Sequence, residues 1–341
     1  MTDVLILGGT GWLSGRIARA WVDAGADVTC LARGSRPAPE GATLVVADRD
    51  APDAYAVPAG RHWDEVVDVS SSPAHVAAAV DALGARAAHW TYVSSVSAYA
   101  RADVEGQDES GELLVPAAAG EESDYGRDKV VAENTVRGSL GARAAIVRPG
   151  LIVGPADPTD RFGYWVSRFA LAGDGAVLLP ETTGARAQVI DVDDVAAFVV
   201  RVGADRWSGT ANAVGDVHPL ADVLGLAREI AGHSGAAVAA SDPFLVDHDV
   251  AYWAGPRSLP LWLPDDMPGF MTHRSAVFAA AGGTLRPLRE TMQRTLADER
   301  ARGLDRERRA GLARSDELAL LAELAAPAAS PAAAGPAGPQ R

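Results

Sequence analysis

The sequence predicts an α/β fold, a doubly wound and mostly parallel sheet with a smaller mixed C-terminal lobe, and three observations predict it. The apolar run Val4-Leu5-Ile6-Leu7 ends at the glycine turn Gly8-Gly9-Thr10-Gly11. Short apolar runs then alternate with stretches of helical periodicity as far as Gly150. Between these, Tyr125 and Lys129 stand four residues apart, downstream of Ser94-Ser95. Such alternation implies βαβ units with right-handed crossovers.

Each element has its own signal. The run 4–7 is short, apolar and stopped by glycine, as a buried parallel strand is. Ile17, Ala18, Ala20, Trp21 and Val22 recur at helical spacing, and Gly25 closes that helix. Val28-Thr29-Cys30-Leu31 makes a second strand, Leu44-Val45-Val46 a third and Glu65-Val66-Val67-Asp68-Val69 a fourth. Pro73 starts a helix that runs through Leu83-Gly84, and Trp90-Thr91-Tyr92-Val93-Ser94 is the fifth strand. The Tyr125/Lys129 segment opens a helix reaching about Leu140, and Ala144-Ala145-Ile146-Val147 is a sixth strand stopped by Arg148-Pro149-Gly150. The sum is a Rossmann-like sheet.

After Gly150 the rhythm breaks. Residues 155–180 hold a loop and one aromatic helix (Phe162, Tyr164, Trp165, Phe169), and Gln188-Val189-Ile190 reads as a strand leading into a helix over 191–202. Beyond Val214, irregular stretches rich in Pro and Trp precede helices near 285–302 and 306–325. The expected organisation is a dinucleotide-binding domain over 1–155, with 186–215 returning to it, and a substrate lobe over 156–185 and 216–325. Residues 326–341 are Ala, Pro and Gly for the most part and are expected to form a disordered tail.

The chain of 341 residues is 48% hydrophobic and 22% charged, enough apolar content for a large core. Its formal net charge of -14 argues against a nucleic-acid backbone as partner. Cys30 is the single cysteine, which excludes an intramolecular disulfide framework and a cysteine zinc cluster. No basic segment with a long apolar core leads the chain, and no apolar run reaches the ~18–20 residues of a membrane span. The expectation is a cytoplasmic protein with neither membrane nor nucleic-acid partner.

Residues one helical turn apart share a face, so the Lys129 ammonium is expected to lower the pKa of the Tyr125 phenol. A free tyrosine titrates near ~10, and each unit is worth roughly 1.4 kcal/mol. A cation at about 4 Å supplies on the order of 4 kcal/mol at an effective dielectric of 20, enough to bring the phenolate toward neutral pH. Upstream, Gly8 gives the tight turn and Gly11 the close approach that let first-turn N–H groups of Trp12 and Leu13 meet a pyrophosphate. The third glycine of the pattern is replaced by Ser14, with Gly15 beside it. An acid at the end of the second strand would hold the ribose hydroxyls of NAD, whereas the chain carries Arg33 and Arg36 there, which favours NADP. Asp48 is a candidate for the adenine amino group, and Ser70, after the fourth strand, for the cofactor crevice. The acids Asp191, Asp193 and Asp194 fit the first turn of a helix better than a metal site.

Taken together, the glycine turn, Tyr92-Val93-Ser94-Ser95-Val96-Ser97-Ala98-Tyr99, Tyr125 to Lys129, Arg148-Pro149-Gly150 and Ile190-Asp191-Val192-Asp193-Asp194-Val195-Ala196 resemble the short-chain dehydrogenase/reductase superfamily in its extended, epimerase/dehydratase-like branch. The resemblance covers about residues 3 to 215. It implies that Tyr125 is the acid–base residue and that Lys129 holds the nicotinamide ribose. It also implies that Ser95 hydrogen-bonds the substrate oxygen, with Ser94 and Ser97 as alternatives. It further implies pairing through a four-helix contact that includes the Tyr125 helix, so a homodimer is one assembly to expect.

Two departures bear on substrate. Leu151 follows Arg148-Pro149-Gly150 where nucleotide-sugar epimerases of this branch usually carry asparagine, and Ala187 stands where their phosphate-binding arginine falls, one place from Arg186. Substrate-side candidates are Arg161, Phe162, Trp165, Arg168 and Arg186. His75, His218, His248 and His273 have no partners at ligand spacing and are expected at the surface or at caps. The leading expectation is a reductase or dehydrogenase acting on a carbonyl or secondary alcohol of a small metabolite; the alternatives are an epimerase or dehydratase of a sugar or sugar-like substrate that retains its cofactor, and a non-catalytic dinucleotide binder.

Overall fold

The computed structural model describes residues 2–118 and 121–326. In chain order β1 (Asp3–Leu7), α1 (Trp12–Asp23), β2 (Asp27–Ala32), β3 (Thr43–Val46), β4 (Trp63–Asp68), α2 (Pro73–Leu83), β5 (Ala87–Val93), α3 (Tyr125–Leu140) and β6 (Ala144–Pro149) follow one another. Then come β7 (Leu151–Val153), α4 (Arg161–Ala172), β8 (Val177–Pro180), β9 (Arg186–Asp191), α5 (Val192–Ala204), β10 (Gly209–Ala213), β11 (Val217–Pro219) and α6 (Leu220–Ala231). Farther on lie β12 (Ala237–Ala240), α7 (Asp242–Asp247), α8 (Ala276–Ala280), α9 (Leu288–Arg302) and α10 (Arg314–Ala325).

Seven strands form the central sheet in the order β3-β2-β1-β4-β5-β6-β10, every neighbouring pair parallel. The chain leaves β1 on one side toward β2 and on the other toward β4, so the crevice expected at such a reversal opens beyond Leu7 and Asp68. Helices cover both faces. On one, α1 buries Ile17, Ala18 and Trp21 against Val195, Phe198 and Val202 of α5. On the other, Val76, Val80 and Leu83 of α2 meet Val136 and Leu140 of α3.

The smaller lobe has its own core, with Phe162, Trp165 and Phe169 packed among Leu220, Leu224 and Leu296. A mixed sheet, β11-β9-β7, joins it to the main layer, antiparallel on one side of β9 and parallel on the other.

Three of the differences from the sequence reading have a plain local cause. The seventh strand, Gly-Thr-Ala-Asn-Ala, lacks large apolar residues and leaves no apolar run to read. A regular helix, α6, stands where an irregular stretch was expected: Leu220, Val223, Leu224 and Ala227 bury one face, and Gly232 ends it at φ +73°. The helix expected over 306–325 begins only at Arg314, because Gly311 at φ +113° turns the chain so that its amide meets Ser258 Oγ at 3.0 Å. Of the expected disordered tail, residues 327–341 lie outside the described residues. Among the described residues no helix is long and apolar enough to cross a membrane.

Candidate active site

Gly8 sits at φ +82°, a conformation that L side chains rarely adopt, and its amide donates to Leu31 O at 2.8 Å. A side chain at Gly9 would run into Cys30 on β2. Ser14, in the third glycine's place, ties the turn together: its hydroxyl donates to Gly8 O at 2.5 Å and accepts from Gly11 N at 3.0 Å. The first-turn N–H groups of α1 are thus held at the strand edge with the helix's positive end facing outward.

Above them lies a cavity of about 460 Å³ lined by Gly8, Gly11, Arg33, Arg36, Asp48 and Ser70. A pyrophosphate matches the glycine turn, and the two arginines stand at the far wall, so these residues fit a dinucleotide. Arg49, which the sequence reading passed over, shapes that wall: it grips Asp68 with two bonds of 2.9 and 2.8 Å and donates to His75 O at 2.7 Å. Trp12 and Leu13 stand in the first turn of α1, where their backbone N–H groups are expected, while their side chains go elsewhere. The Leu13 side chain packs into the sheet-facing core, leaving only its backbone at the turn. Trp12 points away from this cavity into the neighbouring crevice, its indole N–H donating to Pro155 O at 2.9 Å.

That crevice, about 360 Å³, is lined by Ser95, Ser97 and Tyr125. Tyr125 is placed by local sequence. Asp124 caps α3 by accepting from Arg127 N at 2.9 Å, and Gly126 lets the helix press on the Ser97 carbonyl, where any Cβ would collide. Ser95 caps the turn 96–98, its hydroxyl accepting from Ser97 N and donating to Ser97 Oγ, both at 3.1 Å. Ser94 is buried beside Glu133 and does not line the crevice.

Lys129 is 2% exposed, and its ammonium donates to Ser70 O at 2.9 Å and Val93 O at 2.8 Å. It lies beneath both spaces: Ser70 borders the dinucleotide cavity, and the Tyr125 ring is 5.7 Å from Nζ. The expected depression of the phenol by Lys129 is not found. Desolvation by the crevice walls pushes the Tyr125 pKa up; the Ser95 hydroxyl and the Arg161 guanidinium oppose it. With 49% of its surface open to the crevice, Tyr125 is reached by solvent that limits the rise. The buried Lys129, bonded among the described residues to neutral carbonyls alone, is itself pulled down to about 8 by desolvation.

The substrate-side candidates separate. Arg161 lines the Tyr125 crevice. Trp165 does not: it is 2% exposed, its indole N–H donating to Pro260 O at 2.8 Å. Arg168 is likewise buried, paired with Glu317 at 3.3 Å and bonded to Leu312 O, where it anchors α10. Phe162 is core. Arg186 lines a different cavity, of about 490 Å³, that carries Glu105, Glu181, Asp242 and Asp265 and meets the crevice at Met271. Among the α4 candidates only Arg161, at the start of the helix, faces the crevice; the aromatics that follow it are all buried.

The crevice also contains Trp253, Phe270, Gln188 and His273, none of which the sequence reading singled out for it. His273 is neither surface nor cap. It stacks on Tyr99 at 5.1 Å, and burial, aided by the Arg148 charge, pulls its pKa down to about 4, so it is neutral at physiological pH. The acids at the start of α5 pair with arginines: Asp191 with Arg294 at 3.2 Å and Arg286 at 3.3 Å, Asp193 with Arg16 at 3.2 Å. Among the described residues no cluster is arranged to hold a metal ion.

Solved structures share this fold. A protein of Burkholderia cenocepacia J2315, provisionally described as an epimerase, superposes with a TM-score of 0.70 at 21% identity, covering 88% of this chain and 98% of that one. The UDP-N-acetylglucosamine 4-epimerase of Bacillus cereus gives 0.65 at 16% identity (90% and 99% covered). The UDP-glucuronic acid 4-epimerase of the same organism, solved with NAD, gives 0.64 at 12% identity (88% and 99%). No curated protein matches the sequence significantly. The profile of the NAD-dependent epimerase/dehydratase family matches residues 4–214, more than half of the chain, and the protein belongs to that family.

Proposed function

We propose that the protein is an NAD(P)-dependent enzyme of the epimerase/dehydratase type that acts at a carbinol carbon of a sugar-like small molecule and keeps its dinucleotide through the cycle. One observation carries this reading: Ser95 and Tyr125 face a single crevice, and Lys129 beneath them reaches the rim of a dinucleotide-sized cavity. A nicotinamide bound there would supply hydride transfer. Ser95 orients the substrate oxygen, Tyr125 takes or returns its proton, and Lys129 fixes the floor on which both stand. Family membership and the epimerase folds support the retained-cofactor form.

A second reading, net reduction or dehydrogenation of a carbonyl/alcohol pair, is favoured by Arg33 and Arg36, since these suit the 2′-phosphate of NADP. Mass spectrometry of the nucleotide that travels with the protein, followed by turnover without added nucleotide, separates the two. Turnover sustained by bound nucleotide supports the first, and one NADPH consumed per product supports the second. A protein that binds neither dinucleotide loses both.

For the cofactor, Arg33→Asp is expected to weaken NADP binding about 10- to 100-fold and to improve NAD binding, because a phosphate would lose a charged partner and gain a repelling one. Fluorescence titration of the reduced nucleotides reads both constants. An unchanged preference would remove Arg33 from the 2′-phosphate.

A further inference from the structure

Resting on the proposed site, the geometry points to a substrate that carries one carboxylate, held by Arg161 beside the carbon that Tyr125 serves, with one face of the molecule laid against aromatic and aliphatic side chains. Among the described residues Arg161 is the only cationic side chain lining the crevice, and no carboxylate lines it. His273 adds no charge, and Lys129 is turned to its two carbonyls below. Arg161 is half-buried and forms no salt bridge within the described residues. A single bond of 3.2 Å from Nε to Thr159 Oγ1 and the Trp253 ring, 4.9 Å from the guanidinium carbon, hold it in place, leaving its terminal N–H groups without acceptors among the described residues.

The nearest acid, Asp157, is 4% exposed and spends its oxygens on Thr159 N at 2.8 Å and Thr159 Oγ1 at 2.9 Å. Asp157 acts on Arg161 only at one remove, through Thr159 Oγ1, so the half-buried guanidinium keeps its outer edge for a ligand, and that planar fork matches a carboxylate with two parallel bonds. Trp12, Leu151, Trp253 and Phe270 supply the apolar wall for the rest of the molecule.

The charge count argues against a nucleoside diphosphate. One guanidinium would face at least two phosphate charges. The cavity that adjoins at Met271, where the remainder of such a substrate would extend, carries four carboxylates against Arg186.

The test uses the full chain saturated with NADP+ or NAD+, and benzoate, its uncharged near-isostere benzamide, and UDP as probes, followed by calorimetry and ligand-observed NMR. Benzoate is expected to bind, benzamide and UDP at least about tenfold more weakly. Arg161→Gln is expected to weaken benzoate about 10- to 100-fold while leaving nucleotide affinity and benzamide unchanged, and Arg161→Lys to recover part of the loss. Equal binding of benzoate and benzamide, no benzoate binding, unchanged benzoate affinity in Arg161→Gln, or preference for UDP would each overturn the assignment. The wild-type comparison decides the matter even if the variant does not fold. Failure to bind either dinucleotide would instead sink the proposed function, and the benzoate result is read independently of it.

Discussion

Replacing Tyr125 with phenylalanine is expected to lower turnover about 10²- to 10⁴-fold, the range for removal of a general acid–base group, and to leave dinucleotide affinity nearly intact. Only the hydroxyl is lost. The ring stays, half open at the crevice, and Lys129 keeps both of its carbonyl partners. Steady-state kinetics beside a fluorescence titration of NADPH separates the two effects, and turnover that survives would show another group moving the proton.

The pH profile carries the same information with a sign. Burial raises the phenol above its ordinary value, so at neutral pH it is protonated and ready to donate when a carbonyl oxygen is reduced. In the oxidising direction the phenolate is required. That rate should climb about tenfold per pH unit on the acid side of the phenol's pKa, and the climb should be absent in the phenylalanine variant. A profile flat between pH 6 and 9 in the wild type would place the base elsewhere.

The placements that read well in sequence are those that the backbone itself dictates. Gly8 is forced by a positive φ, Tyr125 and Lys129 by one turn of helix, and the apolar runs of β1, β5 and β6 by burial in a parallel sheet. What the sequence hid depends on tertiary contact. Arg161 and Arg168 lie seven residues apart on one helix, yet one faces an open crevice and the other is buried against Glu317. His273 comes from a segment without periodicity and enters the crevice because Gln188 binds its backbone, accepting from His273 N at 3.0 Å and donating to His273 O at 2.8 Å. Lys129 carried the right spacing, but spacing alone does not reveal that its charge is drawn off by Ser70 and Val93.

The second large effect is on stability. Glu133→Ala is expected to cost about 3–5 kcal/mol, because it strands a guanidinium in the core. Glu133 and Arg148 are 0% and 1% exposed and meet through two bonds, Nε to Oε1 at 2.9 Å and Nη2 to Oε2 at 2.7 Å. Arg148 also donates to Tyr99 OH at 3.0 Å, which in turn donates to Asn212 Oδ1 at 2.7 Å, so α3, β6 and β10 are tied at one point beside the crevice. Arg137 also pairs with Glu133, at 2.9 Å, but at 38% exposure its charge is largely screened, so the cost falls on Arg148.

Burial alone would raise the Glu133 pKa; the hydrogen bonds and charge of Arg148 outweigh it and hold the carboxyl below the usual glutamate range. A folded-state pKa below the unfolded one means that the stabilisation is fully present above about pH 4.3 and disappears as pH falls through the depressed value. Denaturant midpoints measured from pH 7 down to pH 3 should therefore fall for the wild type, and fall less for Glu133→Gln, which is destabilised at pH 7 but has no proton to gain. Parallel curves for the two proteins would mean that the acid sensitivity of this fold resides in other carboxylates and that the pair contributes packing alone.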